Sequence, residues 1–144
     1  LCCDLRIASE ASSFAIPAGK LGLGYRFTAI QNLVRATGTA NALEIFLTAD
    51  RFPAGQARDK GLLHAVAPRE DLDACVAGYL GKINALAPLT LQAGKKMIHI
   101  LADRCADIDL DAMKALVVQC FDSDDYKEGK KAFAEKRRPV FKGR

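Results

Sequence analysis

Strand-like segments in this chain are few, short and early, and that asymmetry limits its fold more than any other feature. Residues 1–8, LCCDLRIA, form an apolar run broken by Asp4 and Arg6, and 12–17, SSFAIP, form a second that Pro17 ends. A third run, 62–67, closes at Pro68. Two short strands do not make a stable sheet by themselves, so the early pair is expected to need partners that this chain does not contain. Between 18 and 27 lies AGKLGLGYRF, where Gly19, Gly22 and Gly24 predict a loop. Neither GxGxxG nor GxxxxGK[ST] can be placed on it, so it is no phosphate-binding fingerprint.

The rest carries helical spacing. Ala29, Ile30, Leu33 and Val34 form a stripe that Gly38 stops, and Thr39 can cap a second helix bearing Ala42, Leu43, Phe46 and Leu47. Pro53 suits the first turn of a short helix ending at Lys60–Gly61. Leu72, Cys75, Val76, Tyr79, Leu80 and Ile83 repeat at i, i+3, i+4. Pro88 opens the next helix, with Leu91, Met97, Ile98 and Leu101. Asp107 or Asp109 caps another, with Leu110, Met113, Leu116, Val117, Cys120 and Phe121. A last helix starts at Ser123, carries Tyr126 and Phe133 on one face and stops before Pro139.

Charge is uneven. Residues 1–122 hold 13 basic and 13 acidic side chains, so the whole net charge of +4 comes from the last 22 residues. That basic end is read as a solvated helix end and tail. No basic stripe or aromatic-rich sheet motif points to nucleic acid. No apolar run approaches the roughly 20 residues of a membrane span, and no secretory signal is visible. The five cysteines, at 2, 3, 75, 105 and 120, form no CxxC pair, and His64 and His99 are not spaced with them as zinc ligands. Both histidines are read as structural or surface groups. Cys75 and Cys120 sit where thiols act as small hydrophobes, and a reducing, cytoplasmic setting is expected.

The order of motifs is specific. CD-x-RIA at 3–8, SSFAIP, KLGLGY, LTADRFPAGQARDKGLLHAV at 47–66 and SDDYKEGKKAFAEKRRPVFKGR at 123–144 together resemble the enoyl-CoA hydratase/isomerase, or crotonase, superfamily along all 144 residues. The resemblance implies an α/β fold: residues 1–68 as the end of a strand–strand–helix spiral core, then a mainly helical region, 69–144, for oligomer contacts. Family members are about twice as long and commonly form trimers or pairs of trimers. The chain, which opens on Leu1-Cys2-Cys3-Asp4 without an initiating Met, is therefore expected to be a C-terminal half and inactive alone.

The resemblance also implies chemistry on an acyl-CoA thioester through an enolate held by backbone N–H donors, an oxyanion hole, with no metal or redox cofactor and with CoA entering as part of the substrate. It puts those donors upstream of CD-x-RIA. A hydratase glutamate normally follows the proline of the second strand. Here Phe14-Ala15-Ile16-Pro17 is followed by Ala18, which has no titratable group. The tyrosine after the LG motif, Tyr25, resembles the methylmalonyl-CoA decarboxylase branch, where a phenol orients a carboxylate or donates a proton. Arg26 is read as an exposed loop residue. Phe133 and Lys136 match the A-F-x-x-K-R pattern, which in relatives approaches the CoA nucleotide, often from a neighbouring subunit. Arg137 and Arg138 are read as surface charges, and Glu44 and Glu135 as exposed helix residues. Hydration, isomerisation and decarboxylation stay open, and a non-catalytic oligomerisation module is the alternative from another class.

Overall fold

The structure, a computed structural model, describes residues 1–102 and 109–144, so Cys105 and Asp107 lie outside the described residues. It is a mixed α/β chain that divides into two compact units, Leu1–Ala77 and Gly78–Arg144.

In the first unit β1 (Ile7–Ser9) pairs in parallel with β4 (Ala65–Ala67), placing Ile7 opposite Ala65. β2 (Ser13–Phe14) pairs antiparallel with β3 (Phe52–Pro53), placing Phe14 opposite Phe52. Both early strands thus find partners inside the chain, which corrects the expectation that they would not. A two-residue strand such as β3 is too short to show alternation, and its pairing is non-local, so periodicity does not reveal it. Polar side chains reinforce the first pair. The Arg6 Nε donates to the Leu62 carbonyl at 2.6 Å and its Nη1 to the Cys3 carbonyl at 2.9 Å. The Arg6 backbone N–H donates to His64 Nδ1 at 3.1 Å, and the His64 N–H to the Arg6 carbonyl at 2.8 Å.

Pro17–Leu21 is a turn of 3₁₀-helix, so part of the glycine-rich loop is ordered into helix, and Pro17 begins it as well as following the strand. α1 (Phe27–Thr48) is broken at Gly38, whose φ of 73° takes it out of helical geometry. The Thr37 hydroxyl beside the break is satisfied by donating to the Leu33 carbonyl at 2.9 Å. Past the break the buried side is Ala42, Ile45 and Ala49, while Leu43 and Leu47 face outward. The expected stripe is therefore corrected: apolar residues occur on both sides of this segment, and spacing alone does not choose between them.

α2 (Ala54–Asp59) follows Pro53 and buries Ala54 and Ala57 completely. Gly61 then takes φ 80°, and a Cβ there would come within 2.8 Å of the Ala36 carbonyl oxygen. The core gathers Leu33, Ala42, Ile45, Phe52, Ala54, Ala57 and Leu63, with Phe14 and Ile16 packed against it.

α3 (Leu72–Asn84) carries the unit boundary within it. In the second unit α4 (Pro88–Ala102) is followed by α5 (Leu110–Asp122), capped by Asp109, whose Oδ1 accepts the Ala112 N–H at 2.9 Å. α6 (Asp124–Ala134) is capped by Ser123, whose Oγ accepts the Tyr126 N–H at 3.0 Å. The tail 135–144 then returns along α6, and the Arg144 carbonyl accepts from the Asp124 N–H at 2.8 Å. Among the described residues no single helix is long and apolar enough to cross a membrane.

Candidate functional site

The first unit holds an open cavity of about 750 Å³. Its walls are mostly apolar, including Ile7, Phe14, Ile16, Leu33 and Phe52, with Arg6, Ser13, Asn32 and Tyr25 as polar members and no Asp or Glu among the described lining residues. Such a space suits an apolar group oriented by a few polar ones. Arg6 is already engaged with backbone carbonyls, and Ser13 Oγ accepts from Arg51 Nη1 at 2.8 Å. Tyr25 and Asn32 are the polar lining residues whose side chains are left to meet a ligand, and of the two Tyr25 carries the ionisable hydroxyl.

Tyr25 follows the 3₁₀ turn and precedes α1. Its ring stands edge-on to Phe46, with centroids 5.6 Å apart, and it is 42% exposed. It therefore both packs against the following helix and lines the cavity. Its hydroxyl makes no hydrogen bond to another described residue. Arg26 is exposed and is the N-cap residue of α1. Ala18 is only 3% exposed and is absent from the cavity wall. A carboxylate there would have to be accommodated in a packed environment, at a cost unless paired.

The second unit holds Phe133 and Lys136. Phe133 is 88% exposed, which is unusual for a large aromatic, and its ring borders an apolar groove of about 620 Å³ between α4, α5 and α6. Lys136 has φ 53°, a left-handed conformation that costs a non-glycine residue about 1 kcal/mol or more. Its N–H donates to the Phe133 carbonyl at 3.2 Å, so one turn carries both side chains. Tyr25 and Ala18 belong to the first unit, Phe133 and Lys136 to the second.

The residues around that turn are charged and ordered. Arg137 forms a two-pronged pair with Glu128, Nη1 to Oε1 at 2.6 Å and Nη2 to Oε2 at 2.9 Å, and its Nε donates to Glu135 Oε2 at 2.6 Å. The Val140 N–H donates to Glu128 Oε1 at 3.0 Å. The hydrogen bonds from Arg137, and then that of Val140, hold the Glu128 carboxyl at about 2, down from 4.5. The same pairing raises Arg137 above its ordinary range. Asp125, 2% exposed, accepts the Lys142 and Gly143 N–H groups at 2.6 and 2.7 Å.

Arg137 and Glu135 are thus not simple surface charges. Residues nine apart across a helix end, as Glu128 and Arg137 are, carry no i, i+4 signal, so spacing could not pair them. Among the described residues no three His, Cys, Asp or Glu side chains come together as a metal site.

The model of the enoyl-CoA hydratase/isomerase family matches residues 1–144. Methylmalonyl-CoA decarboxylase of Escherichia coli (strain K12) is 32% identical over 142 residues, covering 97% of this chain and 54% of that protein. (E)-Benzylidenesuccinyl-CoA hydratase of Thauera aromatica is 34% identical over 143 residues, covering 99% and 56%. The crystal structure of an enoyl-CoA hydratase/isomerase family protein from Hyphomonas neptunium superposes with a TM-score of 0.89 at 30% identity, over 99% of this chain and 54% of that one. The chain spans about half the length of the curated relatives it matches. With the family's sequence pattern along its whole length and the family's backbone in both units, the chain belongs to the enoyl-CoA hydratase/isomerase family.

Proposed function

We propose that the protein acts on an acyl-CoA thioester through an enolate whose oxygen is held by backbone N–H donors. The observation that carries this reading is the apolar cavity with Tyr25 in its wall and no carboxylate among its described lining residues. The acyl group occupies that cavity. Phe133 and Lys136 meet the nucleotide end of CoA, the exposed ring against the purine and the ammonium against a phosphate. Assembly as a homo-oligomer, a trimer or pair of trimers, and a cytoplasmic setting belong to the same reading. The exposed apolar side chains Ile98, Leu101, Val118 and Phe121 supply surface for assembly.

A second reading is favoured by one specific pair of positions. Ala18 stands where a hydratase glutamate is expected, and Tyr25 is a neutral donor at the cavity. Water addition by two carboxylates is poorly served, whereas decarboxylation needs no base. In that reaction the bond from the α-carbon to a substrate carboxylate breaks. Its electron pair enters the thioester enolate, CO₂ leaves, and the α-carbon then takes a proton. Tyr25 orients the departing carboxylate or supplies that proton.

The test uses the protein as its gene encodes it, offered crotonyl-CoA and methylmalonyl-CoA in separate assays. The second reading expects CO₂ release to exceed hydration. Efficient hydration of crotonyl-CoA would overturn it, and no turnover of any acyl-CoA thioester would overturn both. Tyr25→Phe keeps the ring and removes the donor, so kcat/KM should fall at least about tenfold, roughly 1.4 kcal/mol.

A further inference from the structure

We infer that Glu128 and Arg137 are positioning residues for Lys136, fixing the left-handed turn from which its ammonium meets a nucleotide phosphate. The inference rests on the reading above that Phe133 and Lys136 contact CoA, and it names what makes that contact site rigid. Lys136 has no side-chain property that favours φ 53°; lysine is neither glycine nor asparagine, so its neighbours must impose the angle.

The neighbours on both sides of Lys136 are tied. Arg137 Nε reaches Glu135 Oε2 at 2.6 Å, bridging directly across Lys136, and the Arg137 N–H donates to the Ala132 carbonyl at 3.0 Å. The two Nη groups of Arg137 are anchored nine residues earlier, within α6, by Glu128. The planar guanidinium therefore links the last turns of α6 to the residues just after it, in a geometry that lysine could not reproduce.

Charge distribution points the same way. Residues 136–138 are three successive cations, Lys136, Arg137 and Arg138. Arg137 has every side-chain nitrogen paired with a carboxylate, so it is not the phosphate ligand. Lys136 forms no ion pair among the described residues. Its N–H is bonded to the carbonyl of Phe133, so an exposed aromatic face and an unpaired cation leave the same turn. A purine carrying phosphate offers the matching pair of groups. The depressed Glu128 carboxyl stays ionised throughout the physiological range, so the clamp is not titrated there.

The experiment measures CoA binding by calorimetry for the protein as its gene encodes it and for Glu128→Gln, Lys136→Met and the double variant. Amide hydrogen exchange at 136–138 is followed in the wild type and in Glu128→Gln. Lys136→Met should weaken CoA binding about tenfold and Glu128→Gln at least threefold. The double variant should bind no worse than Lys136→Met, because a positioning residue has nothing left to position. Exchange at 136–138 should quicken at least tenfold in Glu128→Gln. Losses that multiply in the double variant, or unchanged exchange, would overturn the positioning role while leaving the nucleotide reading intact. CoA binding by Lys136→Met equal to that of the wild type, or no CoA binding by the wild type, would overturn the nucleotide reading and this inference with it.

Discussion

In Leu1–Ala77 the backbone is held by close packing of small side chains, Ala54 and Ala57 at zero exposure against Leu33 and Phe52. In Gly78–Arg144 the tail is held instead by carboxylates that accept main-chain amides, Asp125 from Lys142 and Gly143 and Glu128 from Val140. Packing of the first kind is sensitive to volume and indifferent to proton concentration. Clamping of the second kind tolerates changes of shape nearby but depends on ionisation and on a paired partner. The difference maps onto what each region is proposed to do. A cavity for an acyl chain needs walls of fixed volume, and a turn that presents a cation needs fixed charges around it.

The sharpest way to break the first region is Leu33→Ala. Leu33 is the only large side chain under 2% exposed among the described residues, and its truncation should cost about 3 kcal/mol, within the usual span for buried leucines. Denaturant unfolding followed by exchange of α1 amides checks this; a loss below 1 kcal/mol would show that the core collapses around the gap.

In the second region Asp125→Ala should cost about 2 kcal/mol, because it leaves two amide donors unsatisfied beside a buried position. The readout is exchange at Lys142 and Gly143, expected to approach that of an unprotected chain.

A smaller effect separates the two regions by pH. Glu128 is held at about 2 against an ordinary 4.5, so its pairing stabilises the fold above the ordinary value. The contribution fades as pH falls from about 4.5 toward 2, where the carboxyl gains a proton in the folded state too. The gap in Tm between wild type and Glu128→Gln should be constant near neutrality and close across that window, while the gap for Leu33→Ala should not follow it. The smallest expected change is that of Tyr25→Phe on stability, under about 0.5 kcal/mol by thermal melting, since the ring keeps its contact with Phe46.

What the sequence disclosed follows from the range of the forces involved. Helix ends are written locally: the break at Gly38 and the caps at Asp109 and Ser123 each rest on contacts within four residues. The family pattern reached further because it encodes a whole chain. Sheet pairing was illegible. Arg6 and His64 meet across 58 positions, and no periodicity in β1 or β4 names its partner. Tyr25 could be singled out by its place after the glycines, but its contact with Phe46 needed the bend of α1. The Arg137 clamp stayed hidden because a guanidinium among basic neighbours reads as surface charge until its carboxylates are seen.

Gly61 carries one more consequence. Its φ is 80° and an added Cβ would lie 2.8 Å from the Ala36 oxygen, a backbone atom that no side-chain motion can remove. Two independent prohibitions, one angular and one steric, fall on the same atom. In a saturation library sorted for folded protein, position 61 should therefore return glycine almost alone, with alanine lost along with the bulky residues. Gly38 has open space where a Cβ would stand, but its φ of 73° with ψ 166° lies in a backbone region essentially confined to glycine, so the angular prohibition alone should hold position 38 to glycine. A position that returns only glycine would thus mark a main chain held in a conformation that side chains forbid, whether or not a second stretch of backbone lies against it, without any structure being consulted.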